Sequence, residues 1–130
     1  GKPLFVEALG SDVPQRDLAG RPILVCFFDW QQRSSRNTVV ELAGRAEEFT
    51  RRNVAVVAVQ IGRVDPAGLD RWIADNRIAF PVRTMEADEQ KLRLAWGVRS
   101  LPWLIFTDRD HVVAAEGPQM AVLNLDAKQR

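Results

Sequence analysis

Alternating strand and helix signals predict an α/β fold built on a central mixed β-sheet, and three features carry that prediction. Ile23–Phe28 is an unbroken apolar run, and residues 54–61 form a second run interrupted only by Gln60. Such runs are buried on both faces, as central parallel strands are. Between them an amphipathic pattern supplies the crossover helix of a βαβ unit. Toward the C-terminal end, segments 103–107 and 111–116 flank Asp108-Arg109-Asp110, which reads as a tight antiparallel hairpin.

The crossover helix is expected over about residues 36–52, where Val39, Leu42, Ala43, Ala46 and Phe49 share one face. Ser34 or Ser35 is its expected N-cap. Arg51 and Arg52 complement the negative pole at its end, and Asn53 is a plausible stop. Asp65-Pro66 supplies a cap and a first-turn proline for the next helix, whose stripe is Leu69, Trp72 and Ile73 and whose end falls near Asn76. Phe80-Pro81-Val82 reads as a short extended piece. A third helix from about Asp88 places Leu92, Ala95 and Trp96 on one face and stops at Gly97. Residues 119–130 read equally as a short, weakly periodic final helix or as a frayed end.

The chain has 130 residues, the size of one ordinary domain with a single core. Gly1 in place of an initiator Met suggests a segment excised from a longer protein. Eighteen basic and 17 acidic residues leave a net charge of +1. Both signs are interspersed, which argues against nucleic acid as a partner. No apolar stretch approaches the ~18 residues of a membrane-spanning helix, so no membrane insertion is expected. With Cys26 the sole cysteine and His111 the sole histidine, neither an internal disulfide nor a multi-thiolate metal site can form. No metal and no cofactor are expected.

Several segments, in order, carry a family resemblance. Residues 17–25, DLAGRPILV, resemble the "xLxGKPxLV" stretch of redoxins, the thioredoxin-like group that holds thiol-disulfide oxidoreductases and AhpC/TSA-type peroxiredoxins. Residues 56–59 followed by Asp65-Pro66 resemble the second strand and extra helix of that group. Phe80-Pro81-Val82, then residues 96–102 (WGVRSLP), then residues 106–110 (FTDRD), are similar to its "FPV", "YGVRGxP" and "xxDRDG" stretches. The resemblance spans about residues 14–117. It implies a thioredoxin-like fold, helices on both faces of the mixed sheet, and a cis peptide before Pro102 in a turn facing the start of the first helix.

The resemblance also implies chemistry that this chain lacks. In the thiol oxidoreductase register the cysteine pair falls on Gln32 and Ser35, and one step earlier on Gln31 and Ser34. In the peroxiredoxin register the peroxidatic cysteine falls near Arg36 and its threonine partner near Arg33. Sulfur is absent from all of these positions. Cys26 lies within the apolar strand, where thioredoxins carry a buried acid, and is expected to be a shielded, inert core residue. A redox role for it would need an external thiol.

The expected function is therefore a redoxin domain degenerate for dithiol chemistry. It would act as a binding or regulatory module toward a protein or peptide segment, another domain of the parent protein included. Its candidate binding residues are Trp30, Gln31, Gln32, Arg33, Ser34, Ser35, Arg36, Arg99, Leu101, Pro102 and Trp103. Trp30 and Trp103 would form an aromatic platform or else pack internally, and Trp72 and Trp96 read as core. Two alternatives accompany this reading. One is antioxidant or oxidoreductase activity through Cys26. The other is a glutathione-like or anion site at Ser34, Ser35 and Arg36, because a helix start offers unpaired donors. His111, in the hairpin, is expected to be a turn or strand-edge residue and not a catalytic base.

Overall fold

The computed structural model describes residues 18–85, 90 and 96–118. Its elements are β1 (Ile23–Phe28), α1 (Arg33–Gly44), α2 (Ala46–Arg51), β2 (Ala55–Ile61), α3 (Pro66–Asp75), β3 (Val82–Met85), β4 (Trp103–Thr107) and β5 (Val113–Gly117). The strands form one sheet in the order β3-β2-β1-β4-β5. β1, β2 and β3 run parallel, while β4 is antiparallel to β1 and β5 antiparallel to β4. This is the α/β thioredoxin-like arrangement. Most of the expected third helix and all of the C-terminal tail lie outside the described residues.

β1 is central because every one of its side chains is apolar and buried. Burying a side chain of this size is worth about 1.5–3 kcal/mol, and a strand apolar on both faces gains most in the middle of the sheet, where both faces are fully covered. Its alternation feeds two cores. Ile23, Val25 and Phe27 pack with Val57, Val59, Trp103 and Ile105, and Leu18, Trp96 and Leu101 cover them. Leu24, Cys26 and Phe28 face Val39 and Leu42 of α1, Phe49 of α2, and Trp72 and Ile73 of α3. Trp96 and Trp72 are partly buried and pack against the two cores, with ring centroids 5.4 Å from Phe27 and 6.2 Å from Phe28 respectively.

The crossover helix departs from the sequence expectation at both its start and its middle. It begins at Arg33, three residues early, with Gln32 as the N-cap, so neither Ser34 nor Ser35 caps it. It is also two helices and not one, broken at Arg45, whose φ of −106° and ψ of 13° leave the helical region. The apolar stripe runs through the break, which is why periodicity alone reads as continuous.

Asn53 ends α2 in the left-handed region, φ 61°. Its N–H and that of Val54 reach back to the carbonyls of Thr50 and Phe49, a Schellman closure. Arg77, φ 52°, closes α3 in the same way through the carbonyls of Ala74 and Ile73. The hairpin turns on Asp108, whose Oδ1 accepts from the backbone N–H groups of Asp110 and Val112.

Candidate functional site

The site predicted from sequence lies where β1 ends and α1 begins. After Phe28 the chain turns on Asp29, whose side chain accepts the Gln31 N–H at 3.0 Å and whose carbonyl accepts the Gln32 N–H at 2.9 Å. This Asx-type turn delivers the chain to Gln32, extended at φ −97°, ψ 130°. The Gln32 side chain caps no backbone N–H of the first turn of α1, and that turn contains no acidic residue. The leading N–H groups of a helix have no intrahelical acceptor, and among the described residues no hydrogen-bond partner stands on those of Arg33 and Ser34, which leaves donors open at the positive pole.

Gln31, Gln32, Arg33 and Ser34 are exposed around these donors. Ser35 is wholly buried, and its Oγ donates to Gln32 Oε1 at 3.4 Å. It is therefore no nucleophile for an external substrate. Arg36 turns inward, and Nη1 donates to the Trp30 carbonyl at 2.7 Å. The anion site expected at Ser34, Ser35 and Arg36 is accordingly reduced on its own side to Ser34, the open amides and Arg33.

The register of β1 with β4 pairs Phe27 with Trp103. That pairing sets Leu101 and Pro102, which precede Trp103, beside the point where β1 gives way to the turn. The Leu101–Pro102 peptide is cis, Pro102 is buried, and Arg99 in the same loop is exposed.

Two of the predicted residues sit elsewhere than a binding platform would require. Trp103 is only 7% exposed and belongs to the core on the sheet face opposite α1, where its indole N–H donates to Glu116 Oε1 at 3.2 Å. Trp30 packs on the α1 face, its ring lying against Gly68 of α3, where an added Cβ would stand 3.0 Å from Cη2. The sheet separates the two indoles, so they make no common platform.

Cys26 is 0% exposed. Burial pushes its thiol pKa up to about 12, against an ordinary value near 8.5. A thiolate there would lose hydration with no partner to replace it, so the inert reading of Cys26 follows from its place in β1. His111 takes a turn conformation, φ 63°, and its Nε2 lies 2.8 Å from the Leu18 carbonyl oxygen. It sits at the other end of the sheet, about a strand length (~20 Å) from Ser34. A cavity of about 300 Å³, lined by Leu18, Arg21, Phe49, Val54, Phe80 and Pro81 among others, is also at that far end.

Sequence reading missed the role of Gln60. It is 1% exposed, and its Oε1 accepts the Trp30 N–H at 2.6 Å, tying the turn to β2. The available signal was the one polar residue within a wholly apolar run. Among the described residues no group of three His, Cys, Asp or Glu side chains is arranged to hold a metal, and no helix is long and apolar enough to cross a membrane.

Solved structures share this architecture. The chain is similar to a thiol-disulfide isomerase from Corynebacterium glutamicum, with 18% identity, a TM-score of 0.76 and coverage of 92% of this chain and 86% of that one. A thioredoxin-family thiol:disulfide interchange protein from Chlorobium tepidum gives 17% identity and a TM-score of 0.69, covering 88% and 83%. A thiol-disulfide oxidoreductase from Bacteroides fragilis gives 15% and 0.69, covering 85% and 82%. At these identities the likeness establishes the fold. No curated protein matches the sequence. The family model for AhpC/TSA matches residues 5–116, most of the chain. With the sheet order, the strand-to-helix turn and that match together, the chain belongs to the AhpC/TSA family of thioredoxin-like redoxins, as a member whose single cysteine is buried and which has no Cys-x-x-Cys pair.

Proposed function

We propose that this domain is a binding or regulatory module that engages an extended protein or peptide segment, another domain of its parent protein included, without dithiol chemistry of its own. The reading rests on one observation above others. The helix start that in the named neighbours' fold belongs to thiol exchange is here exposed, without a side-chain cap from Gln32 and free of sulfur, while the chain's single thiol is sealed in β1. Such a surface offers N–H donors, the Ser34 hydroxyl and the Arg33 and Arg99 cations to carboxylates and carbonyls of a bound segment. Burial of the Cys26 side chain counts against activity through it with an external thiol.

Amide shift mapping of the ¹⁵N-labelled chain tests this proposal. The probes are a reduced, alkylated unfolded polypeptide and the segments that flank the domain in its open reading frame. Perturbations concentrated on residues 31–36 and 99–102 are expected. Perturbations confined to the far end of the sheet, or none with either probe, would remove the proposal.

A further inference from the structure

Gln60 is a buried carboxamide whose orientation is dictated by its neighbours. The Trp30 N–H can only donate, so the side-chain oxygen faces it at 2.6 Å. The Ile61 and Gly62 carbonyls can only accept, so Nε2 faces them at 2.7 and 3.5 Å. On the other side of Trp30, the Arg36 guanidinium holds the carbonyl at 2.7 Å. Both backbone polar groups of Trp30 are thus satisfied by side chains, one from β2 and one from the first turn of α1. Neither bond belongs to a sheet ladder or a helix.

We propose that Gln60 is a positioning residue for the β1–α1 turn: with Arg36 it clamps the Trp30 backbone and so sets the path of Gln31–Ser34 into α1. The consequence for ligand binding rests on the function proposed above, whereas the clamp itself is a matter of conformation. Its chemistry suits an amide. A carboxylate at position 60 would accept from Trp30 but turn its second oxygen on the Ile61 carbonyl, and only the protonated acid could both accept and donate. The other charged residues on the segments that meet here are Asp29 before the turn, Arg63 and Asp65 after β2, and Arg83 on β3. Asp29 and Asp65 already accept from the backbone N–H groups of Gln31 and Gly68.

Amide hydrogen exchange followed by NMR decides the matter, with the Val57 N–H in the sheet interior as reference. In Gln60→Leu the Trp30 N–H should exchange about tenfold faster or more, with Val57 unchanged. Equal acceleration of both amides, or of neither, overturns the clamp. Gln60→Glu supplies a readout that lost packing would not move. After correction for intrinsic exchange, Trp30 should be protected near about pH 5, where a buried acid stays protonated, and released near about pH 8, while the wild type stays flat. A flat Gln60→Glu profile would overturn the proposal even if the leucine variant fails to fold. If no probe binds the wild type, the functional reading fails and the exchange result still stands. If one binds, Gln60→Leu should weaken it about tenfold with Val57 protection intact, and unchanged affinity would refute the positioning role.

Discussion

The helices α1 and α3 begin in opposite ways, although both follow a parallel strand of the same sheet. At α3, Asp65 Oδ2 accepts the Gly68 N–H at 3.1 Å and Pro66 occupies the first turn, where its missing N–H costs nothing. At α1, the capping position holds Gln32, whose side chain accepts the Ser35 hydroxyl but caps no backbone N–H of its own helix. The polar groups of one start are satisfied within the chain, and those of the other are left to whatever approaches. A chain able to write Asp-Pro at position 65 had the means to close α1 and did not. The difference marks the α1 start as a surface, and α3 as scaffold.

Sulfur placement breaks the comparison most strongly. Thiol reagent should label Cys26 in the folded chain roughly a thousandfold or more slowly than a cysteine introduced by Ser34→Cys. That substitution would put a thiol at an open helix start, which lowers its pKa, whereas Cys26 sits near pKa 12 in the core. Comparable rates measured by mass spectrometry would mean that β1 opens readily and that the two environments are not distinct.

A pH titration of stability gives the next largest effect. The folded-state thiol pKa is raised above that of the unfolded chain, so the folded state holds the proton more tightly. The contribution is complete below about pH 8.5 and is lost as pH rises toward 12, by at most about 1.4 kcal/mol per pH unit. Denaturant melts from about pH 8 to 10 should show this decline in the wild type and not in Cys26→Ala. Parallel curves would place the thiol in water.

The caps themselves give smaller shifts of opposite sign. Asp65→Ala should cost about 1 kcal/mol, since it removes an acceptor from a helix that uses one. Gln32→Asp should stabilise by a few tenths to about 1 kcal/mol, by supplying an acceptor and a negative charge to a start that lacks both. The same change should weaken any bound segment in shift mapping. Stabilisation without loss of binding would show that the open amides are not what the segment uses.

Much of this architecture was legible because it rests on chemistry local to a few residues. The two apolar runs could only be central strands, Asp65-Pro66 could only start a helix, and Asp108-Arg109-Asp110 could only turn. Illegible parts depended on partners distant in sequence. Ser34 and Ser35 are better caps by type than Gln32, yet the Asp29 turn brings the chain into helical geometry sooner, and Ser35 is buried within the first turn. Trp103 stands on a strand buried along its whole length, so no polar alternation told which face it takes. Gln60 was visible as an interruption, but its partner lies 30 residues away. Of the site, the turn and the missing sulfur were readable, and the inward commitment of Arg36 and Ser35 was not.

The sheet order has a consequence for how the chain is made. β1, the most apolar strand, lies between β2 and β4, and its second neighbour is separated from it by most of the described chain. The Ile23 N–H donates to Thr107 Oγ1 across 84 positions. On a ribosome that synthesises in order, β1, β2 and the helices between them emerge first, while one edge of ILVCFF stays unpaired until β4 appears. A nascent or truncated chain that ends before Trp103 would present that edge as a template for self-association. Completion of the sheet therefore waits on the hairpin, and slower folding is the expected cost of placing the most hydrophobic strand at the centre.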